Sequence, residues 1–164
     1  MLILLLSLLQ FNSTYSSAGT PAPECLNKQG NVMPVMDQQV IDWKASTPNQ
    51  FQARARVDGV ISDIYPDRNG HNHFAIVLDN NPDHNLEVVY NQSFGRIPHL
   101  IIGMKIEVCG DYITSDAPTS QYPASPAGAI IHWIHKNPSS HGHKSGYLMI
   151  NGSLYGQESG HGGE

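Results

Sequence analysis

From residue 51 onward, the chain consists of short apolar segments separated by turn residues, and this pattern constrains the fold most strongly. Residues 103–113 alternate apolar and polar side chains, as expected for a strand with one buried face. Segments 147–150 and 153–155 flank the Asn151-Gly152 dipeptide, which suits the positive φ angles of a type I′ hairpin turn. The pattern therefore predicts a mainly β domain.

Further strands are predicted at 52–64, 74–78, 86–90 and 129–134, with a loop at 65–70 after the first. Five or six strands fit a small OB-like barrel, because closure hides the strand edges, and a two-sheet sandwich is the alternative. Asp37 is predicted to cap one short helix that continues to about Ser46 and is ended by Pro48. The glycine-rich nucleotide motifs and Cys-x-x-Cys are absent from the sequence.

The first nine residues form an apolar run that is too short to span a bilayer but typical of a signal peptide. Small residues at Ser16-Ser17-Ala18 place the predicted cleavage after Ala18, and a buried N-terminal helix is the alternative. The expected organisation is a signal peptide at 1–18, a lead-in with the helix at 19–50, the barrel domain at 51–156 and a flexible tail at 157–164. We expect a periplasmic or secreted protein with no membrane span after cleavage.

The chain contains two cysteines, Cys25 and Cys109. Cys109 falls on the polar face of its predicted strand, where a passing N-terminal segment carrying Cys25 could reach it. Oxidising compartments favour a disulfide between them, and two unpaired thiols are the alternative. The formal charge of −5 excludes a general basic surface for nucleic acid but leaves room for a local positive site built from protonated histidines.

Nine histidines accompany only nine Lys and Arg residues, and four of them lie between His132 and His143. His71 and His73 precede another strand. Imidazole is the commonest metal ligand and the usual acid or base near neutral pH. His132 and His135 share a site only if their strand ends or bulges between them. Otherwise His132 is a core residue and the others are solvated.

Neighbouring residues have simpler interpretations. Trp133 is expected in the core, with a stacking platform for a sugar or base as the alternative. Arg54 and Arg56 share one strand face, which we expect to be solvated, although they could also contact an anion.

The most specific motif is the run His132-Trp133-Ile134-His135 with Asn137-Pro138, His141 and Gly146-Tyr147. With segments 57–60, 70–74, 90–97 and 103–112, it resembles a family of small exported bacterial proteins catalogued only as a domain of unknown function. The similarity runs from about residue 52 to residue 155.

The resemblance implies a shared site rather than a known activity. The matching positions are His71, Asn91, His132, His135 and His141. The departures from the family pattern are Asn72 for Gln, Tyr90 for His, Ser93 for Asp, Lys136 for His and Asn137 for Asp. Because several ionisable groups are lost, the resemblance implies a divergent or inactive member.

Two functions remain open. The first is a binding module whose histidine-rich polar site takes an anionic or sugar-like ligand. The alternative is a metal-dependent phosphodiesterase or nuclease, in which a divalent metal is the cofactor. In the alternative, His132, His135 and His141 bind the metal or transfer protons, and Asn91 and Arg96 steady the phosphate. In both cases the three histidines converge beside Asn91 and His71, with Asn137 as a further candidate.

Overall fold

The computed structural model describes residues 20–139 and 141–159. It contains one helix, seven strands and one 3₁₀ turn. They are α1 (Asp37–Ser46), β1 (Gln52–Arg68), β2 (His71–Val77), β3 (Asn85–Asn91), the 3₁₀ turn Gln92–Phe94, β4 (Lys105–Thr114), β5 (Ala129–His132), β6 (Tyr147–Ile150) and β7 (Ser153–Tyr155). The predicted signal peptide, residues 1–18, lies outside the described residues.

All seven strands belong to one sheet with the order β1-β2-β3-β5-β4-β6-β7, and β1 also pairs with β4. Strands β1, β2, β3, β5 and β4 therefore close a ring of five. Every pairing is antiparallel except that between β3 and β5. The predicted mainly β class with a small ring of strands and one short helix is confirmed.

Strand β1 closes the ring because its first half pairs with one strand and its second half with another. Residues 52–60 pair with β4, and residues 60–68 pair with β2. The register of the second pairing shifts between Ile61 and Asp63 and again between Tyr65 and Arg68, and such bulges bend a strand. The loop predicted at 65–70 is thus shorter than expected, since β1 continues to Arg68.

The core fills the interior of the ring with alternate side chains of its strands. Representative fully buried members are Val57, Phe74, Val88, Val108 and Ile131. Helix α1 closes one side of this core. Its Val40 is buried, and its Trp43 ring lies 5.5 Å from Tyr112 and 5.7 Å from Phe51. Asp37 begins this helix rather than capping it, and its Oδ1 accepts the Asp58 amide.

The outer face of β1 and β4 is covered by the N-terminal lead-in. Cys25 and Cys109 form the predicted disulfide, with an S–S distance of 2.06 Å. Arg54 donates to Asp111 at 2.9 Å and is 8% exposed. The expected solvated face is therefore wrong for Arg54, because the lead-in and the loop before β6 cover it.

The C-terminal hairpin has the predicted turn, since Asn151 and Gly152 have φ angles of 48° and 82°. In the described part of the chain, no helix has the length and apolar content needed to cross a membrane.

Candidate functional site

The candidate site lies on the outer face of β2, β3 and β5. Because successive side chains of a strand alternate between faces, the core residues Phe74, Val88 and Ile131 send their neighbours outward. The outward set is His71, His73, Glu87, Asn91 and His132. Cross-strand pairing places His71 opposite Asn91. We call this set of five residues the histidine face.

Glu87 is the most buried ionisable group of the histidine face, at 1% exposure. Its Oε1 accepts from His73 Nδ1 at 2.8 Å, and its Oε2 accepts from the Ser125 hydroxyl at 2.5 Å. The Arg68 guanidinium lies 3.5 Å from Oε1. Burial would raise the pKa of Glu87, but the hydrogen bonds from His73 and Ser125, with the nearby charges, hold it below its ordinary value.

Sequence reasoning missed both Glu87 and Ser125. Ser125 lies in the loop between β4 and β5, which shows no functional motif in the sequence, yet its hydroxyl donates to Glu87. A usable signal was present, because Glu87 interrupts the apolar run 86–90. A charge inside such a run is costly unless it is paired, so a partner could have been inferred.

The imidazoles of His73, His71 and His132 form a row. The ring centroids of His73 and His71 are 6.4 Å apart, and those of His71 and His132 are 5.4 Å apart. His71 Nδ1 lies 2.9 Å from the Asn69 carbonyl oxygen, which can only accept a hydrogen bond. This contact is satisfied when His71 carries a proton on Nδ1, which leaves Nε2 for a ligand.

Trp133 continues the row beyond His132, with 5.0 Å between their ring centroids. Its other neighbour is His143, which stacks on it at 5.7 Å. Strand β5 ends at His132, and Trp133 adopts a φ of 50°, a strained conformation for a bulky residue. The expected core position of Trp133 is therefore wrong, since the backbone turns its half-buried ring onto this face.

His135 is fully buried rather than solvated. Its ring stacks on Phe94 with 3.5 Å between centroids, and its Nδ1 donates to the Lys136 carbonyl at 3.0 Å. Its own carbonyl oxygen accepts from the Gly146 amide at 2.7 Å. The ring meets His143 edge-on at 5.0 Å, and His143 stacks on Trp133, which connects His135 to the row.

The remaining candidates have local structural contacts. The Asn137 side-chain amide donates to the backbone carbonyls of His141 and His143, which organises that loop. The Asn91 side chain accepts the Ser93 amide at 2.9 Å and so caps the 3₁₀ turn. Arg96 is exposed on the loop that follows this turn.

The structure thus brings His71, His132 and Asn91 together on one face. In the described part of the chain, no three His, Cys, Asp or Glu side chains are arranged as a metal site. The metal set of His132, His135 and His141 stays a prediction.

A separate cavity of about 470 Å³ shares no residue with the histidine face. It is bordered by Asp37, Asp58, Asp79, Lys105 and Glu107. Burial raises the pKa of both Asp37 and Asp58, and negative neighbours add to the effect. This cavity is therefore a poor site for an anion.

Comparisons with known proteins place the chain in a family. Residues 30–156 match the family described as Protein of unknown function (DUF3465), and this range contains all seven strands and the histidine face. No curated protein and no solved structure matches the chain. The predicted membership in a family of unknown function is confirmed: the chain belongs to the DUF3465 family.

Proposed function

We propose that the protein is an exported binding module that takes an anionic or sugar-like ligand on the histidine face. The observation that carries the proposal is the row of three imidazoles, His73, His71 and His132, spaced by 6.4 and 5.4 Å on one face. Imidazole becomes cationic at mildly acidic pH, so the row offers several charges and donors to one anion.

Groups at the two ends of the row extend the proposed binding surface. Arg68 is half-exposed beside His73, and its guanidinium suits bidentate recognition of a phosphate or carboxylate. At the other end, Trp133 offers an aromatic ring that is large enough to stack on a sugar or base. A ligand that combines an anionic group with a ring would use both ends.

The position of the histidine face supports the proposal by analogy. In OB-like domains, the face of the second and third strands and the loops joining strands 1–2 and 4–5 bind oligonucleotides and oligosaccharides. The histidine face uses β2 and β3, and Ser125 comes from the β4–β5 loop. The analogy concerns location alone, because fold does not fix function.

Export is supported by the disulfide between Cys25 and Cys109, since such bonds persist in oxidising compartments. Mass spectrometry of the protein recovered from cells tests this part. We expect a mature chain that starts between about residues 17 and 23. Recovery of the intact Met1 form from the cytoplasm would contradict export.

Binding is tested by NMR titration with inorganic phosphate at pH 5.5 and pH 8, with maltose as an uncharged probe. We expect phosphate to bind more tightly at pH 5.5, because an acidic medium favours the cationic form of imidazole in general. The double variant His71→Ala/His132→Ala should weaken binding about tenfold or more. His99→Ala, at an exposed histidine outside the face, is the matched control. No shift with either probe at either pH would refute the proposal.

Phosphodiester cleavage is the second candidate, and the contact between Glu87 and His73 favours it. A carboxylate bonded to Nδ1 fixes the tautomer and orientation of an imidazole, which is how many enzymes prepare a general base.

A further inference from the structure

We propose that the histidine face cleaves RNA by proton transfer between His73 and His71, with the 2′-hydroxyl of the substrate as nucleophile. This inference rests on the proposed function, since the bound anion is then the phosphodiester of an RNA strand. It goes further by assigning a substrate class and two catalytic residues.

His73 is suited to act as the general base. Its Nδ1–H donates to Glu87 Oε1 at 2.8 Å, so Nε2 is the nitrogen that can take a proton from a ligand. Glu87 is itself held by Ser125 and, more loosely, by Arg68 at 3.5 Å. Glu87 is thus a positioning residue, which restricts the ring of His73 to one orientation.

His71 is suited to act as the general acid. It lies two residues before His73 on the same strand, and the two ring centroids are 6.4 Å apart. The Asn69 carbonyl fixes its tautomer in the same sense, with Nε2 again available to carry and release a proton. Two such imidazoles can each reach one oxygen of a phosphodiester through a hydrogen bond of about 2.8 Å.

The reaction needs no group beyond these residues and the substrate. His73 Nε2 takes the proton of the 2′-hydroxyl as the 2′-oxygen forms a bond to phosphorus. The bond from phosphorus to the 5′-oxygen breaks, and protonated His71 gives its Nε2 proton to that oxygen. The products are a 2′,3′-cyclic phosphate and a 5′-hydroxyl. One proton is taken up and one is released, so exchange with water restores both histidines.

Two further groups fit an RNA strand. The half-exposed guanidinium of Arg68 lies 3.4 Å from His73 Nδ1 and adds positive charge at this end of the row, which favours approach of a phosphodiester. At the other end of the row, the ring of Trp133 offers a platform for an adjacent base, and such stacking tolerates every base.

The test uses a fluorescent RNA 12-mer and the all-deoxy strand of the same sequence, with EDTA present throughout. We expect the protein to bind both strands but to cleave only the RNA, and to leave a 2′,3′-cyclic phosphate. His73→Ala and His71→Ala should each slow cleavage about 100-fold or more. His99→Ala, purified in parallel, should retain the full rate, and the loss in the His73 and His71 variants then excludes a contaminating ribonuclease.

Glu87→Gln separates positioning from catalysis. It keeps an oxygen acceptor but loses the charge, so kcat should fall about tenfold or more while binding of the deoxy strand is unchanged. If this variant fails to fold, Ser125→Ala, which leaves the bond from His73 to Glu87 in place, should show a smaller loss of kcat.

The outcomes distinguish the two proposals. Binding of both strands without RNA cleavage would overturn the catalytic inference and leave the binding module standing. Failure to bind either strand would overturn the catalytic inference, and the phosphate and maltose titrations would then decide the binding proposal separately. Equal cleavage of the deoxy strand, or cleavage that survives His73→Ala, would overturn the assignment of nucleophile and base.

Discussion

Glu87 and His73 lie on adjacent strands and are joined by a hydrogen bond of 2.8 Å, although both side chains are nearly buried. A buried carboxylate is destabilising unless donors compensate for its lost hydration, and Glu87 has donors on both oxygens. The two residues therefore act as one unit with Ser125, and removing any member leaves buried polar atoms without their partner.

The depressed pKa of Glu87 predicts a loss of stability in acid. The unfolded chain, with an ordinary pKa near 4.5, binds the proton more readily than the folded chain does. The stabilisation from ionised Glu87 is thus complete above pH 4.5 and is lost as the pH falls through the lower, folded pKa. Urea unfolding of wild type and Glu87→Gln between pH 7 and pH 3 measures this. We expect Glu87→Gln to be less stable by about 1–3 kcal/mol at pH 7 and the difference to shrink towards pH 3.

Asp58, which borders the separate cavity, should show the opposite dependence of stability on pH. Burial raises the pKa of Asp58, so its ionisation destabilises the folded chain and acid relieves this penalty. Asp58→Asn should therefore raise stability at pH 7 and lose that advantage below pH 3.8, the ordinary pKa of an aspartate.

The prediction for Glu87 also has a contradicting outcome. If the difference in unfolding free energy between wild type and Glu87→Gln stays constant with pH, ionised Glu87 does not stabilise the fold.

The two tryptophans are predicted to respond in opposite ways. Trp43 packs against the core beside Phe51 and Tyr112, so Trp43→Ala should cost about 2 kcal/mol or more. Trp133 is only half-buried and lies on the histidine face, so Trp133→Ala should cost less than about 1 kcal/mol. Thermal unfolding separates the two variants. In phosphate or RNA titrations, only Trp133→Ala should weaken binding while the fold is intact.

Most of the fold could be predicted because its determinants are local. Alternation defined the strand that contains Cys109, and Asn151-Gly152 defined the last hairpin. The number of strands allowed a closed ring but did not predict that β1 pairs with β4, because the pairing of distant strands leaves no local signal in the sequence. The end of β5 at His132 could not be predicted either, since no residue before Trp133 indicates that Trp133 has a positive φ angle.

The candidate site was less predictable for a physical reason. The outward direction of His71 and His132 follows from strand periodicity, and these two residues do meet. The burial of His135 against Phe94 depends on the backbone contact between residues 136 and 156, which the sequence does not encode locally. Glu87 was visible as an odd charge in an apolar strand, but Ser125 came from a loop whose path only the tertiary structure defines.

Removing one partner of the buried ion pair between Arg54 and Asp111 should cost far more than removing one partner of the Arg56–Glu107 pair on the same face. The pair of Arg54 and Asp111 is nearly sealed from solvent, and Arg54 also donates to the backbone carbonyls of Leu26 and Ser145. Arg54→Ala leaves a buried charge unpaired, so we expect a loss of about 3–5 kcal/mol. Arg56→Ala removes a pair whose side chains are about a quarter exposed, and we expect about 1 kcal/mol or less.

Chemical denaturation of the two arginine variants makes this comparison directly, since both residues lie on β1 and both partners on β4. If the two variants lose the same unfolding free energy, burial of the Arg54–Asp111 pair does not increase the cost of breaking it. A double variant, Arg54→Met/Asp111→Leu, should recover most of the loss, because no unpaired charge then remains.

The disulfide between Cys25 and Cys109 is predicted to stabilise the fold by restricting the unfolded chain. The bond joins residues 84 positions apart, and closing a loop of that length corresponds to about 4 kcal/mol as an upper figure. Urea unfolding of the oxidised protein and of Cys25→Ala/Cys109→Ala measures the difference. In the double variant, hydrogen exchange should be faster at the Met33 amide, which donates to the Cys25 carbonyl. The amides that link β1 and β4 should stay protected. If the double variant unfolds at the same urea concentration as wild type, the bond is not a stabilising element, and the other contacts of the lead-in, including those of Arg54 and Arg56, are enough to hold it.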